Sequence, residues 1–221
     1  MITDYLVEAP ESYSTAKKFN QTLVRDNFRC VISGSYDHDS LMGSEELSAE
    51  YCALNPFPQC VFTECAHILP DPSMNAQNPP DSASDKRTQG SMLWVVLQRF
   101  GYTTLPNELE GENIHRLENT MTLRHDEHTV FTHFLLWFVA TETPNEYTIR
   151  TAYPGLTPYA NTVVTLHSTK PHLPVPSPVY LAVHAACAQV GWLSGATDMI
   201  ERDGDEGGTG AQSDWRFGGA S

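Results

Sequence analysis

Glu64-Cys65-Ala66-His67-Ile68-Leu69-Pro70 is the stretch on which the fold turns. The run before it, Cys60-Val61-Phe62-Thr63, is apolar and strand-like, and Pro70 ends the element. A strand over 60–68 therefore delivers His67 near its end. Working outward, the next matching piece is Asn119-Thr120-Met121-Thr122-Leu123, whose last three residues read as a brief strand. Arg124-His125-Asp126-Glu127-His128-Thr129-Val130-Phe131 follows. Its pattern predicts a helix over 126–132 that carries His128 with Phe131 beneath it. Strand, strand and helix thus carry His67, Asn119 and His128 in order.

The order His67, Asn119, His128 resembles the HNH nuclease motif of the His-Me finger (ββα-metal) superfamily, in the form common in basidiomycete fungi. Four longer words carry the likeness: RDNFRCVISG at 25–34, CAHILP at 65–70, NIHRLENTMTL at 113–123 and PSPVYLAVHAAC at 176–187. The resemblance implies an α+β fold in which a ββα-metal finger has an inserted helix, a small antiparallel sheet and a C-terminal helix. It also implies a metal-dependent endonuclease that hydrolyses phosphodiester bonds of nucleic acid, DNA or RNA, with DNA favoured. Its cofactor would be a divalent ion: magnesium, manganese or zinc.

The chemistry explains why such residues recur. A neutral imidazole takes a proton from water near pH 7. A divalent ion holds phosphate oxygens and stabilises developing charge. Carried over by the resemblance, His67 is the base, Asn119 a positioning residue and His128 a metal ligand. Two positions depart from the family pattern: Ala66 stands where an acid or His often precedes the base, and Thr132 where an acid often lies one turn past the last His. A hydroxyl is a poor substitute for a carboxylate on a hard cation. Thr132 and His133 are the weaker ligand candidates, and His125, Asp126 and Glu127 lie near enough to compensate. His115, Arg116 and Arg124 are the candidate phosphate-binding residues, the first two on a short helix over 113–117.

Composition bounds the partners. The formal charge is −14, with 27 Asp and Glu against 13 Lys and Arg. That balance argues against a sequence-independent nucleic-acid binder, which presents a basic face. Two other readings therefore stay open: a metal-free binding or regulatory module on the same fold, and an enzyme repurposed to act on a small molecule. Five cysteines at uneven spacing, without a CxxC, read as free thiols in a reducing compartment. A structural zinc on Cys30, Cys52, Cys60 and Cys65 is the weaker alternative, because close paired spacing is missing. The first twenty residues lack a signal-peptide run, and no stretch approaches the ~20 apolar residues of a membrane span. An intracellular protein with no membrane partner is expected.

The rest of the chain reads as extensions of the finger. Residues 1–20 are a lead-in, 21–200 one domain, and 201–221 an acidic, Gly-rich tail expected to be disordered. Within the domain, 28–32 reads as a strand stopped by Ser33-Gly34, and Asp37, His38 and Asp39 as a solvated turn. Ser44-Glu45-Glu46-Leu47 has the look of a helix start. The insertion at about 70–112 begins with a Pro-rich loop and continues as a helix over 86–100, with Trp94 in the core. Strands are expected at 134–140, 146–151 and 162–166, then a helix from 179 to about 200, with His184 in its packed face.

Overall fold

A computed structural model of the chain describes residues 13–70, 94, 97 and 101–193. The first helix, α1 (Tyr13–Arg25), ends where Asn27 and Phe28 both take positive φ, 57° each. Two successive left-handed residues turn the chain sharply, and Phe28 N–H returns to the Leu23 carbonyl at 2.7 Å. This is why the expected strand at 28–32 does not form. Only an isolated bridge joins Arg29 to Tyr36, and the chain between them is a turn.

The segment at 35–59 holds a strand and two helices, more structure than the expected turn and helix start. Strand β1 (Tyr36–Asp37) pairs in parallel with β2 (Cys60–Val61). Helices α2 (His38–Gly43) and α3 (Glu45–Cys52) lie between them. Asp37 is buried rather than solvated: it caps α2 by accepting from Ser40 N–H at 2.8 Å and holds the Thr63 hydroxyl at 2.7 Å. Ser44 caps α3 as expected, accepting from Leu47 N–H at 3.2 Å. The strand expected over 60–68 is broken at Phe62, so its two halves serve different sheets.

Its second half is β3 (Thr63–His67), which pairs antiparallel with β4 (Thr120–Arg124). Glu64 lies opposite Leu123, and His67 opposite Thr120. Helix α4 (Leu105–Glu108) and two 3₁₀ turns, Gly111–His115 and Leu117–Asn119, lead into β4. Helix α5 (His125–Thr132) follows β4 without a break. The α+β finger is therefore present, as β3, β4 and α5. Successive side chains of a strand point to opposite faces. On one face of β3, Glu64 meets α5 and Ala66 joins the core. On the other, Cys65 lies against Thr22 of α1.

Beyond the finger, β5 (Leu136–Ala140), β6 (Glu146–Thr151) and β7 (Val163–Thr165) form the antiparallel sheet in the order β5-β6-β7. Helix α6 (Pro178–Leu193) packs on β5, using Ala185 and Ala188 against Trp137. Small residues let the helix approach closely. His184 is buried as expected, stacked on Phe131 at 3.9 Å between ring centroids. Trp94 and Leu97 are helical and buried in the main core, while the remainder of the expected 86–100 helix, the loop before it and the chain past 193 lie outside the described residues. All five cysteines are free thiols. Among the described residues, no helix is long and apolar enough to cross a membrane.

Candidate functional site

Asn119 is wholly buried, and its side-chain amide is fully used. Oδ1 accepts from Leu69 N–H at 3.0 Å; Nδ2 donates to the carbonyls of Leu69 and Ile114, each at 3.0 Å. Its own carbonyl accepts from Ile68 N–H at 2.9 Å. One residue thus fixes the chain just past His67 and just before His115. Those two half-buried imidazoles meet, His67 Nε2 lying 3.0 Å from His115 Nδ1. Their rings are tilted by 58°.

His128 reaches β3 through Glu64. One Glu64 oxygen is hydrogen-bonded to His128 Nδ1 and the other to His125 Nδ1, the latter at 2.7 Å. Burial works against the Glu64 charge, but the two imidazoles outweigh it and hold the carboxyl below its ordinary value. Glu64 has no assigned role in the sequence reading. Strand alternation was the available signal: residue 64 shares its face with position 66, where the family often has a ligand and this chain has alanine. All three motif residues therefore attach to β3 or the loop it enters: His67 directly, Asn119 through Leu69 and His128 through Glu64.

The other candidates are engaged locally. The Thr132 hydroxyl turns back onto its own helix, donating to the His128 carbonyl at 2.9 Å and the Thr129 carbonyl at 3.0 Å. His133 Nδ1 donates to the Thr129 carbonyl at 2.7 Å. Arg116 is paired with Glu108 at 2.6 Å and with Glu118 at 3.3 Å, and it also contacts the Tyr180 hydroxyl at 3.2 Å. Arg124 lies 2.5 Å from Asp126 and 3.0 Å from Glu127. Glu127 is buried, and that burial, reinforced by Asp126, raises its carboxyl to about 7 despite Arg124. Among the described residues, no group of three or more His, Cys, Asp or Glu is arranged to hold a metal ion. Glu64 and His128 do place one carboxylate and one imidazole together, donor types that divalent ions accept.

No curated protein and no solved structure matches the chain. Residues 30–139 match the family described as HNH endonuclease. That span contains β3, β4, α5 and every candidate residue above, so the chain is an HNH nuclease domain protein.

Proposed function

We propose that the protein is a metal-dependent endonuclease that cuts phosphodiester bonds, DNA in preference to RNA, with His67 as general base. The observation that carries this reading is the attachment of both histidines to one strand: His67 at the end of β3, and His128 tied to Glu64 of the same strand. Glu64 and His67 lie three residue steps apart on β3, about 10 Å between Cα atoms.

Glu64 and His128 would hold the ion, with His125 beside them and Thr132 and His133 as the weaker ligands. When bound, a divalent cation supplies charge stabilisation to the phosphate oxygens. The chain's own residues do the rest. His67 takes a proton from water, Asn119 holds the loop that fixes His67, and the α5 face sets His128. His115, Arg116 and Arg124 border the substrate; the two arginines would have to exchange carboxylate partners for phosphate to bind it directly.

The test is cleavage of plasmid and of single-stranded substrates with magnesium, manganese, zinc or nickel supplied in turn. Cutting by wild type and none by His67→Ala supports the assignment. No cutting under any of the four metals overturns it. Two observations favour a metal-free binding module as the second reading: the Thr132 hydroxyl is committed to its own helix, and the net charge is −14.

A further inference from the structure

At the end of β3, a 3.0 Å hydrogen bond joins two imidazoles, His67 Nε2 and His115 Nδ1, both groups able to move protons. Both partners are held by backbone rather than by chance of rotamer. His67 sits in register opposite Thr120 on β4. His115 ends the 3₁₀ turn Gly111–His115, which Ile114 anchors in the core. The Asn119 amide bonds Leu69 and Ile114 simultaneously, so one buried side chain fixes the spacing of the two segments.

A hydrogen bond between two imidazoles needs one donor and one acceptor. Once His67 has taken a proton, both its nitrogens are donors, so His115 Nδ1 must then accept. We propose that His115 is a positioning residue for His67: its Nδ1 accepts Nε2–H of His67, which keeps the proton-accepting lone pair on His67 Nδ1 and steadies the imidazolium formed during catalysis. The proposal rests on the nuclease reading above. In the step itself, a water proton passes to His67 Nδ1 as the water oxygen bonds to phosphorus. The bond from phosphorus to the leaving ester oxygen breaks, and that oxygen takes a proton from solvent. His67 then returns its proton to water. The arrangement follows the general logic of a base oriented by a third group.

Two variants separate this role from a structural one. His115→Phe keeps a ring and removes the acceptor. His115→Asn places an amide oxygen near the Nδ1 position and keeps it. The expected result is a kcat loss of roughly 10–100-fold for His115→Phe, the range seen when an orienting partner is removed. Substantial recovery is expected in His115→Asn. The acidic limb of the pH–rate profile should move to lower pH in His115→Phe, because the imidazolium loses its acceptor.

Ring nitrogen NMR of His67 provides a readout that needs no activity. Wild type should show the Nε2–H form, and His115→Phe a mixture of the two tautomers. An Nδ1–H form in wild type, or a spectrum unchanged in His115→Phe, overturns the proposal. So does an active His115→Phe with wild-type kcat. A wild type that cuts nothing under any metal sinks the nuclease reading and the catalytic part of the proposal with it, while the ring spectrum still decides whether the pair sets the tautomer.

Discussion

Asn119 grips both polar groups of the Leu69 backbone, accepting its N–H and donating to its C=O at 3.0 Å each. An amide can do both; a carboxylate can only accept. Asn119→Asp therefore loses the donations to Leu69 and Ile114 and places a charge in a wholly buried position. A buried acceptor left unsatisfied costs about 1–3 kcal/mol, and this substitution leaves two. Chemical denaturation should show a loss of at least about 2 kcal/mol on that basis. Activity should fall further than stability alone accounts for, because the His67 and His115 segments share this one clamp. A variant of unchanged stability would show that the amide is not the tie between them.

The finger is braced from behind by a buried ion pair. Arg25 bonds both oxygens of Asp26, at 2.7 and 2.9 Å, and spends its remaining donors on the carbonyls of Leu117, Thr120 and Pro174. Asp26 in turn accepts from Thr122 N–H of β4 at 2.8 Å. Removing one partner strands a buried charge, which costs about 3–5 kcal/mol. Asp26→Asn and Arg25→Met should each destabilise by about that much. The double variant should lose less than their sum, since no unpaired charge remains. A double-mutant cycle by urea titration checks this, and strict additivity would contradict it.

His184 gives the fold a dependence on acid. Its Nε2–H donates to the Phe131 carbonyl at 3.1 Å, and Phe131 and Phe134 stack against its ring. Burial pushes the imidazole down to about 3, far below its ordinary 6.5. The unfolded chain therefore binds a proton that the folded chain refuses across this interval. Stability is fully present above about 6.5, falls as pH drops toward about 3, and is flat below that with respect to this group. His184→Phe removes the ionisable ring, so its stability should fall less between pH 7 and pH 4 than that of wild type. Equal slopes in thermal melts across that range would rule out His184 as the source.

Much of this architecture is legible in the chain, for reasons that differ by residue. The finger was readable because β4 and α5 carry their periodicity in adjacent residues, with Met121, Leu123 and Phe131 all buried in the core. Ser44 was readable because helix capping is local chemistry. The turn at Asn27 and Phe28 was not, since apolar Phe28 favours a strand and only the tertiary setting holds it at positive φ. Asp37 is hidden in the sequence for the opposite reason. A charged residue among polar neighbours signals solvent, yet its partners Ser40 and Thr63 bury it, and Thr63 lies 26 residues away in sequence. The same limit hid Glu64 and the contact of His67 with His115, which come from pairings 64 and 48 residues apart.

The metal site is the part of the proposal most open to direct measurement. Glu64 and His128 should be needed for binding, so Glu64→Ala and His128→Ala should each abolish calorimetric binding of manganese or zinc. His67→Ala should leave that binding nearly intact while lowering cleavage roughly 10²–10⁴-fold, since the base acts on water. Glu64→Gln separates charge from shape: it keeps a hydrogen-bonding side chain beside His128 but removes the anionic ligand, and it should bind as poorly as Glu64→Ala. Thr132→Asp tests the departure one turn past His128. The aspartate adds a hard oxygen ligand and should tighten the ion. It also gives up the two donations of the Thr132 hydroxyl and places a negative charge at the C-terminal end of α5. The dipole part of that cost is about 0.3–1 kcal/mol, so the metal-free melting temperature should drop while the metal-induced rise in melting temperature grows. Were Glu64→Ala to bind manganese as wild type does, Glu64 would not be a ligand, and its bonds to His125 and His128 would serve only to hold α5 against the strand.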